Sequence, residues 1–234
     1  MVTGNYNIEG VGVVHVLVKP NSRSVKARWK GERLHATVPP YITPDQLIDI
    51  LKGMVPKLEQ HKPDALYRIG QEIQMPDFSV SIRAQSHVPD KMLMNYRNGR
   101  GSIEVGTNWD MASHDTVIAI SKMLCRLAQR IAPSILLPQA REVAQRIGRQ
   151  PMLWTISNGH RVLGHCDSRG VIALSHALVF YPLHLRDYVI CHELAHLSEL
   201  NHSPRFHQIC DAYCQGREQE LIAELKAYSP PILR

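Results

Sequence analysis

The sequence has 234 residues, of which 44% are hydrophobic and 21% are charged, and it carries a formal net charge of +6. No run approaches the roughly 20 apolar residues of a membrane span, and the polar stretch Met1–Gly10 lacks the apolar core of a signal peptide. Five cysteines, an odd number, argue against a disulfide framework and for a reducing compartment, so we expect a soluble, cytoplasmic, globular protein.

The first part of the chain is predicted to be rich in β-structure. Gly12–Lys19 is a β-branched run that ends at a turn signal, and Val25–Lys30 alternates apolar with basic residues. A turn at Gly31 and Glu32 then leads to a third strand, Arg33–Val38. Because the three runs follow one another with short turns between them, we expect a small antiparallel meander.

One helix and a second group of strands follow. Thr43 and Gln46 form a capping box around Pro44, which predicts a helix as far as about His61. Asn98–Gly101 has the composition of a hairpin turn. Short strands are predicted over residues 71–75, 78–83, 93–96 and 103–106. We expect a β-rich antiparallel region at 1–106 and a second region at 107–234, which form either two domains or one continuous domain.

The second region is predicted to combine helices with three strands. Apolar positions from Val117 to Ile131 indicate one long helix, and Val143 and Ile147 indicate a second helix that Gly148 ends. Strands are expected at 152–157, 161–165 and 171–175, and two further helices at 203–214 and 218–228. The predicted fold class is therefore α+β.

Two segments carry the excess positive charge. Lys19–Arg33 and Lys122–Arg149 each contain six basic residues and one acidic residue. Either segment has the charge needed to bind a phosphate backbone or an acidic partner. No nucleic-acid-binding motif accompanies them, which favours the alternative of a solvated basic surface.

The segment from residue 192 to residue 202 reads HELAHLSELNH, and its three imidazoles and first carboxylate could share one metal ion. On an α-helix, at about 100° per residue, His192 and His196 lie about 40° apart and one turn along, so both rings project from one face. Glu193 lies beside that face, where its carboxylate suits a general base better than a ligand.

A third ligand has to come from beyond this helix, because each further turn carries a side chain about 5.4 Å along the axis. Asn201 is expected to close the helix in the left-handed conformation, and Ser203 with Pro204 to begin a new helix. His202 is then left in the turn, free to point back at the other imidazoles. Chance would produce this spacing in roughly 0.2% of such chains, so we interpret the segment as a metal site rather than as buried core histidines.

These residues resemble the zincin metallopeptidases, and HELAHLSELNHSPRF is most similar to the YgjP-like metal-dependent hydrolase family, a relative of the SprT-like and WLM proteases. The family pattern runs HELxHLxxxNHSxxFW, and a segment close to WGSCSxxGxIxLNxxL precedes it. The corresponding segment here is LGHCDSRGVIALSHAL. The chain departs from the pattern at four positions, where Leu163, His165, Ser175 and His207 replace Trp, Ser, Asn and Trp.

The resemblance implies a zincin-like catalytic region in which His192, His196 and His202 bind Zn²⁺ and Glu193 is the general base. Three protein ligands and one open position are typical of catalytic zinc, so we expect a metal-activated water that attacks a peptide carbonyl. The expected activity is that of a zinc metallopeptidase with peptide or protein substrates. Several side chains could stabilise the oxyanion, and nothing in the sequence chooses among Tyr188, His165, His207 and Tyr213.

Two local patterns near the motif have alternative interpretations. His207, Cys210 and Cys214 have the i, i+3, i+7 spacing of one helix face, which favours packing over a second metal cluster. Val171–Ser175 is either an edge strand that pairs with an extended peptide, as in zincins, or an interior strand.

Partners for the second ring nitrogen of each ligand imidazole are also left open by the sequence. A ligand histidine usually donates this N–H to a carbonyl or carboxylate. The candidate carboxylates nearby are Asp187, Glu199 and Asp211.

Two alternative functions are compatible with the sequence. The basic segments could make this a nucleic-acid-associated protein in which proteolysis is secondary, by analogy with the SprT-like and WLM relatives. The zinc could instead be purely structural and fasten the C-terminal helices, in which case metal removal should unfold that region.

Overall fold

The computed structural model describes residues 3–30, 33–60 and 66–233, which form three separate sheets and five α-helices. The fold class is α+β, as predicted. The chain divides into two compact units, one of residues 1–68 with 110–117 and one of residues 69–109 with 118–234. The division of the fold at residue 106 stays a prediction. Among the described residues, no helix has both the length and the apolar character that crossing a membrane requires.

The first unit contains a four-stranded sheet in the order β1-β2-β4-β3. Its strands are β1 (Gly4–Ile8), β2 (Gly12–Val18), β3 (Lys26–Lys30) and β4 (Arg33–Val38). The predicted antiparallel meander is wrong, because β4 lies between β2 and β3 and runs parallel to β2. In this central position the alternating Leu34, Ala36 and Val38 are buried. The predicted turn at Gly31 and Glu32 lies outside the described residues.

A single helix, α1 (Pro44–Gln60), packs on the inner face of this sheet. Its capping box is confirmed: the Thr43 amide donates to Gln46 Oε1 at 3.0 Å, and the Gln46 amide donates to Thr43 Oγ1 at 3.3 Å. Leu47 and Leu51 are fully buried in the core that the helix and sheet share. The predicted helix end at His61 lies outside the described residues.

The second unit begins with another four-stranded sheet in the order β5-β6-β8-β7. Asn98 and Gly99 have φ values of 50° and 77°, the left-handed pair that a tight hairpin between β7 and β8 requires. The predicted turn is therefore confirmed. The strands are β5 (Glu72–Gln74), β6 (Ser79–Gln85), β7 (Met92–Arg97) and β8 (Arg100–Gly106). Strands β6 and β8 run parallel, so this sheet too is mixed rather than antiparallel.

One continuous helix, α2 (His114–Ile147), replaces the two helices that were predicted. It passes through Pro133 and Pro138, each of which lacks the amide needed for one helical hydrogen bond. The helix continues through both prolines because its apolar face stays buried on either side of them: Ala132, Leu136 and Ala140 are completely buried. Gly148 ends it with a φ of 70°, as predicted.

The third sheet leads to the C-terminal helices and has the order β10-β11-β9. Strand β11 pairs in parallel with β9 and antiparallel with β10. The interior-strand interpretation of Val171–Ser175 is therefore correct, and β10 and β9 are the two edge strands of this sheet. The strands of this third sheet are β9 (Leu153–Ser157), β10 (Gly164–Cys166) and β11 (Val171–Ser175). The chain continues with a 3₁₀ helix (His176–Phe180) and with the helices α3 (Leu183–Ala195), α4 (Pro204–Tyr213) and α5 (Glu218–Ala227).

Arg186 anchors α3 within this unit. Its side chain is fully buried, and it donates to the carbonyl oxygens of Tyr181 and Val179 at 2.8 Å each. It also donates to Asp77 Oδ2 at 2.6 Å, in the turn between β5 and β6. A buried guanidinium is stable only when its donors are paired, so these three bonds fix where α3 starts.

We predict that Arg186→Met destabilises the protein by about 3 kcal/mol, because two buried carbonyl groups and the Asp77 carboxylate lose their donor. Urea denaturation measures this free energy of unfolding. Arg217→Met is the matched control: its ion pair with Glu220 is exposed, so the loss should stay below about 1 kcal/mol. Equal losses for the two variants would contradict the anchoring role of Arg186.

Candidate metal centre

The C-terminal end of α3 presents the first two histidines. His192 and Glu193 lie in its last turn, and His196 is the C-cap residue, with φ −63° and ψ −20°. The chain leaves the helix here, because the Leu197 and Ser198 amides bond back to the carbonyl groups of Leu194 and Ala195. The helix thus ends earlier than predicted.

The third histidine lies in the connection to α4. The predicted left-handed conformation of Asn201 is wrong, since its φ is not positive. The predicted start of the next helix is confirmed: Ser203 is the N-cap, its Oγ accepts from the Phe206 amide at 3.2 Å, and Pro204 is the first helical residue. The short connection between the two helices returns His202 to the end of α3.

The structure brings the histidine cluster, His192, His196 and His202, into one group. The ring centroids lie 4.8 to 5.0 Å apart. One donor nitrogen from each ring lies within 4.8 Å of the others, and Nε2 of His192 is 3.1 Å from Nε2 of His202. Within the described part of the chain, this is the one group of His, Cys, Asp or Glu side chains with such a geometry.

Phe206 forms a shared support for the three imidazoles. Its ring is fully buried, and its centroid lies 4.9 Å from that of His192, 4.5 Å from His196 and 4.8 Å from His202. Because Phe206 is in the first turn of α4, the same turn that positions His202 also places this ring against the end of α3. The cluster is accordingly held by packing as well as by the backbone.

The second ring nitrogens differ in their partners. His196 Nδ1 lies 3.0 Å from the carbonyl oxygen of Glu199, the contact expected when Nε2 of a histidine binds a metal. His192 Nδ1 is buried and has no partner among the described residues. The carboxylates of Asp187 and Asp211 are engaged elsewhere, since Asp187 accepts from Gln139 and Asp211 accepts from the backbone at the start of α5.

Glu193 is buried beside the cluster, with 4% of its surface exposed. Burial raises the pKa of its carboxyl group to about 8. Strand β10 crosses directly against it: a Cβ placed on Gly164 would lie 2.6 Å from Glu193 Cγ and 2.7 Å from Cδ, too close for two carbon atoms. Only glycine leaves room for the carboxylate in this position.

The cluster fits a divalent transition metal. Two nitrogens that each lie about 2.0–2.1 Å from one tetrahedral ion are about 3.3 Å apart, close to the distance between the facing Nε2 atoms of His192 and His202. The lone pairs of two facing nitrogens repel each other unless a proton or a cation lies between them. Burial also lowers the pKa of His192 to about 4, which favours the neutral form that metals bind.

The tyrosines that were candidates for stabilising the oxyanion, and the alternative metal cluster, lie in different surroundings. Tyr188 is buried, while Tyr213 accepts a hydrogen bond from Arg149, and both line a cavity of about 180 Å³ with Cys191 and Cys214. The structure does not form the alternative metal cluster of His207, Cys210 and Cys214 within the described residues.

Comparison with known proteins identifies the family. A family model described as the YgjP-like metallopeptidase domain matches residues 23–228, a range that includes the histidine cluster and Glu193. The chain belongs to the YgjP-like metallopeptidase family. Comparisons with curated proteins and with solved structures give no match. Membership of this family implies a metal ion and peptide or protein substrates for the YgjP-like chain.

Sequence reasoning missed two residues that shape the centre of this YgjP-like protein. Phe206 was noted only as part of a motif, and Gly164 only as part of an extended segment. Their roles depend on contacts across the fold, between α4 and α3 and between β10 and α3. A glycine in a short strand was the available signal for Gly164, because such a residue often marks close backbone approach.

We predict that Gly164→Ala lowers peptidase activity by about 10²-fold, because the added methyl group displaces the Glu193 carboxylate. Gly159→Ala is the control, since a Cβ there has no neighbour within 4 Å and its φ is not positive. Peptide hydrolysis and bound metal should be measured for both variants. Wild-type activity in Gly164→Ala would contradict the contact with Glu193.

Proposed function

We propose that the protein is a zinc metallopeptidase in which His192, His196 and His202 hold Zn²⁺ and Glu193 is the general base. The observation that carries the proposal is the compact cluster of three imidazoles beside one buried carboxylate. Three imidazoles suit Zn²⁺, and His202 is exposed, which leaves solvent access on one side of the cluster.

Each residue of the proposed site has a separate role in hydrolysis. When bound, Zn²⁺ polarises a carbonyl group and lowers the pKa of water, as in other zinc hydrolases. Glu193 takes one proton from the attacking water and passes it to the nitrogen of the leaving amine. Gly164 keeps the carboxylate in place by leaving room for it, and burial excludes competing solvent from its inner side.

Strand β10 is the element we propose for binding the substrate backbone. It is one of the two edge strands of its sheet, its residue Gly164 lies against Glu193, and among the described residues no strand pairs with its other edge. An extended peptide can add to such an edge through main-chain hydrogen bonds. The cluster and the peptide would then meet at the same end of α3.

We predict that Glu193→Gln lowers hydrolysis of a denatured protein mixture by about 10²-fold or more while zinc stays bound, because the amide cannot accept the proton. A chelator should abolish activity, and added Zn²⁺ should restore it. Glu199→Gln is the matched control, since the contact of Glu199 with His196 is made by its backbone carbonyl, which the substitution keeps.

Two results would contradict this proposal. Undiminished activity in Glu193→Gln with metal bound would show that Glu193 is not the general base. Cooperative unfolding on chelation, together with no hydrolysis by the zinc-loaded wild type, would favour the alternative in which zinc is structural.

A second candidate function is polyanion binding at the outer face of the first sheet. Lys26 and Arg28 on β3 are exposed on this face, and no described carboxylate pairs with either. His15 and His35 lie beside them with ring centroids 5.0 Å apart. Lys26, Arg28 and His35 line a groove of about 530 Å³, which suits the phosphates of a single-stranded nucleic acid.

We predict that the double variant Lys26→Gln, Arg28→Gln weakens binding of a labelled single-stranded oligonucleotide. The slope of log Kd against log salt should fall by about 1.4, because two phosphate contacts are lost. Lys122→Gln with Arg126→Gln, two exposed residues of α2, removes the same charge as a control. A salt-independent or undetectable interaction of the wild type would defeat this candidate.

A further inference from the structure

We propose that His207 is a further catalytic residue that stabilises the oxyanion, and that Glu218 is the positioning residue that holds it. This inference rests on the proposed peptidase function and extends it. His207 stands where the family pattern has Trp, so the role belongs to this chain rather than to the motif.

The pair has a defined geometry. His207 Nδ1 lies 2.9 Å from Oε1 of Glu218, which joins the first turn of α4 to the first residue of α5. The Glu218 side chain is 3% exposed, whereas that of His207 is 43% exposed. One edge of the imidazole is therefore held by a buried carboxylate, while the ring stays partly exposed to solvent.

The Glu218 carboxylate lies at a well-defined helix start. Glu218 is the first residue of α5, where the helix dipole favours negative charge. Its backbone amide donates to Asp211 Oδ1 at 3.0 Å, which fixes the start of this helix relative to α4. A buried acidic side chain at a fixed helix start is a rigid hydrogen-bond partner for the His207 imidazole.

The position of His207 relates it to the histidine cluster. Its ring centroid lies 6.4 Å from that of His202 and 5.4 Å from that of Phe206, which supports the cluster. With Nδ1 directed at Glu218, Nε2 is the nitrogen left to contact a ligand. A substrate bound at the exposed side of His202 would lie next to the His207 ring.

The other oxyanion candidates have weaker support in the structure. The Tyr213 hydroxyl accepts a hydrogen bond from Arg149 Nε, and Tyr188 is 5% exposed. His165 on β10 is exposed, and no described residue forms a hydrogen bond with its ring. His207 alone among these four combines exposure next to the cluster with a buried partner that orients its ring.

The proposed step conserves atoms and charge. Water oxygen forms a bond to the carbonyl carbon, and Glu193 accepts the released proton. His207 donates a hydrogen bond from its Nε2–H to the carbonyl oxygen as negative charge develops there, and it keeps that hydrogen. The C–N bond then breaks, the proton moves from Glu193 to the amine, and the carbonyl is restored.

Two amide substitutions separate a catalytic role from a structural one. His207→Asn places an amide donor near the position of Nδ1 and can keep the bond to Glu218, while it loses the donor at Nε2. His207→Gln places its amide donor near the position of Nε2. The measurements are kcat and KM for the best-cleaved peptide in fluorogenic form, with zinc content and melting temperature of the same samples.

We expect kcat to fall about 10²-fold in His207→Asn and in His207→Leu, with KM and zinc content unchanged, because a donor to the oxyanion acts only in the transition state. His207→Gln should retain a kcat at least about tenfold above that of His207→Asn. Glu218→Gln should lower kcat less than His207→Leu does, because the ring keeps a weaker partner.

The exposed pair of His184 and Glu224 supplies a matched control. It also joins two helices, α3 and α5, with Nε2 and Oε1 2.5 Å apart, and its members are 46% and 44% exposed. His184→Asn and His184→Gln should leave kcat unchanged. A similar loss of kcat at His184 would overturn the specific role of His207.

Failure of the inference and failure of the proposed function give different results. Wild-type kcat in His207→Asn, while Glu193→Gln is inactive in the same assay, would overturn the role of His207 alone. A loss confined to zinc content or melting temperature would likewise overturn it. If no peptide is cleaved by the zinc-loaded wild type, the peptidase proposal itself fails.

Discussion

The end of α3 at Ala195 is the constraint on which the candidate centre depends. His192 and His196 project together because they lie one helical turn apart. A third imidazole can join them only if the chain turns back at once, since a longer helix would carry it away from the first two. The tight turn after His196 and the N-cap at Ser203 achieve this within eight residues, and His202 returns to the cluster.

Packing around this turn makes the arrangement rigid. Phe206 supports all three rings, and Arg186 fixes the beginning of the same helix through two carbonyl groups and Asp77. On the opposite side, the Gly164 backbone lies against the Glu193 side chain. Helix α3 is therefore held at both ends. The position of the buried Glu193 carboxylate is set by the neighbouring strand β10. Such rigidity suits a site whose donors must be in place before a substrate binds.

Local features of the fold and site were predictable from the sequence because they depend on residues close together in the chain. The capping box at Thr43, the hairpin at Asn98 and Gly99 and the N-cap at Ser203 are of this kind. The spacing of His192 and His196 belongs with them, and the family resemblance of the same motif is confirmed by the family model that matches residues 23–228. Each reflects a rule that acts over three or four residues.

Features that depend on distant partners were not predictable in the same way. Strand β4 lies between β2 and β3 because its apolar residues fill the centre of a sheet, a preference that short turns do not reveal. Helix α2 continues through Pro133 and Pro138 because tertiary burial outweighs two lost hydrogen bonds. The pairing of His207 with Glu218 and the contact between Gly164 and Glu193 likewise join separate elements.

X-ray absorption spectroscopy of the zinc-loaded protein tests the central claim most directly, because it reports the atoms bound to the ion. We predict three imidazole nitrogens at about 2.0–2.1 Å and one oxygen ligand from solvent. A sulfur ligand, or a fourth protein ligand in place of the solvent oxygen, would contradict this claim.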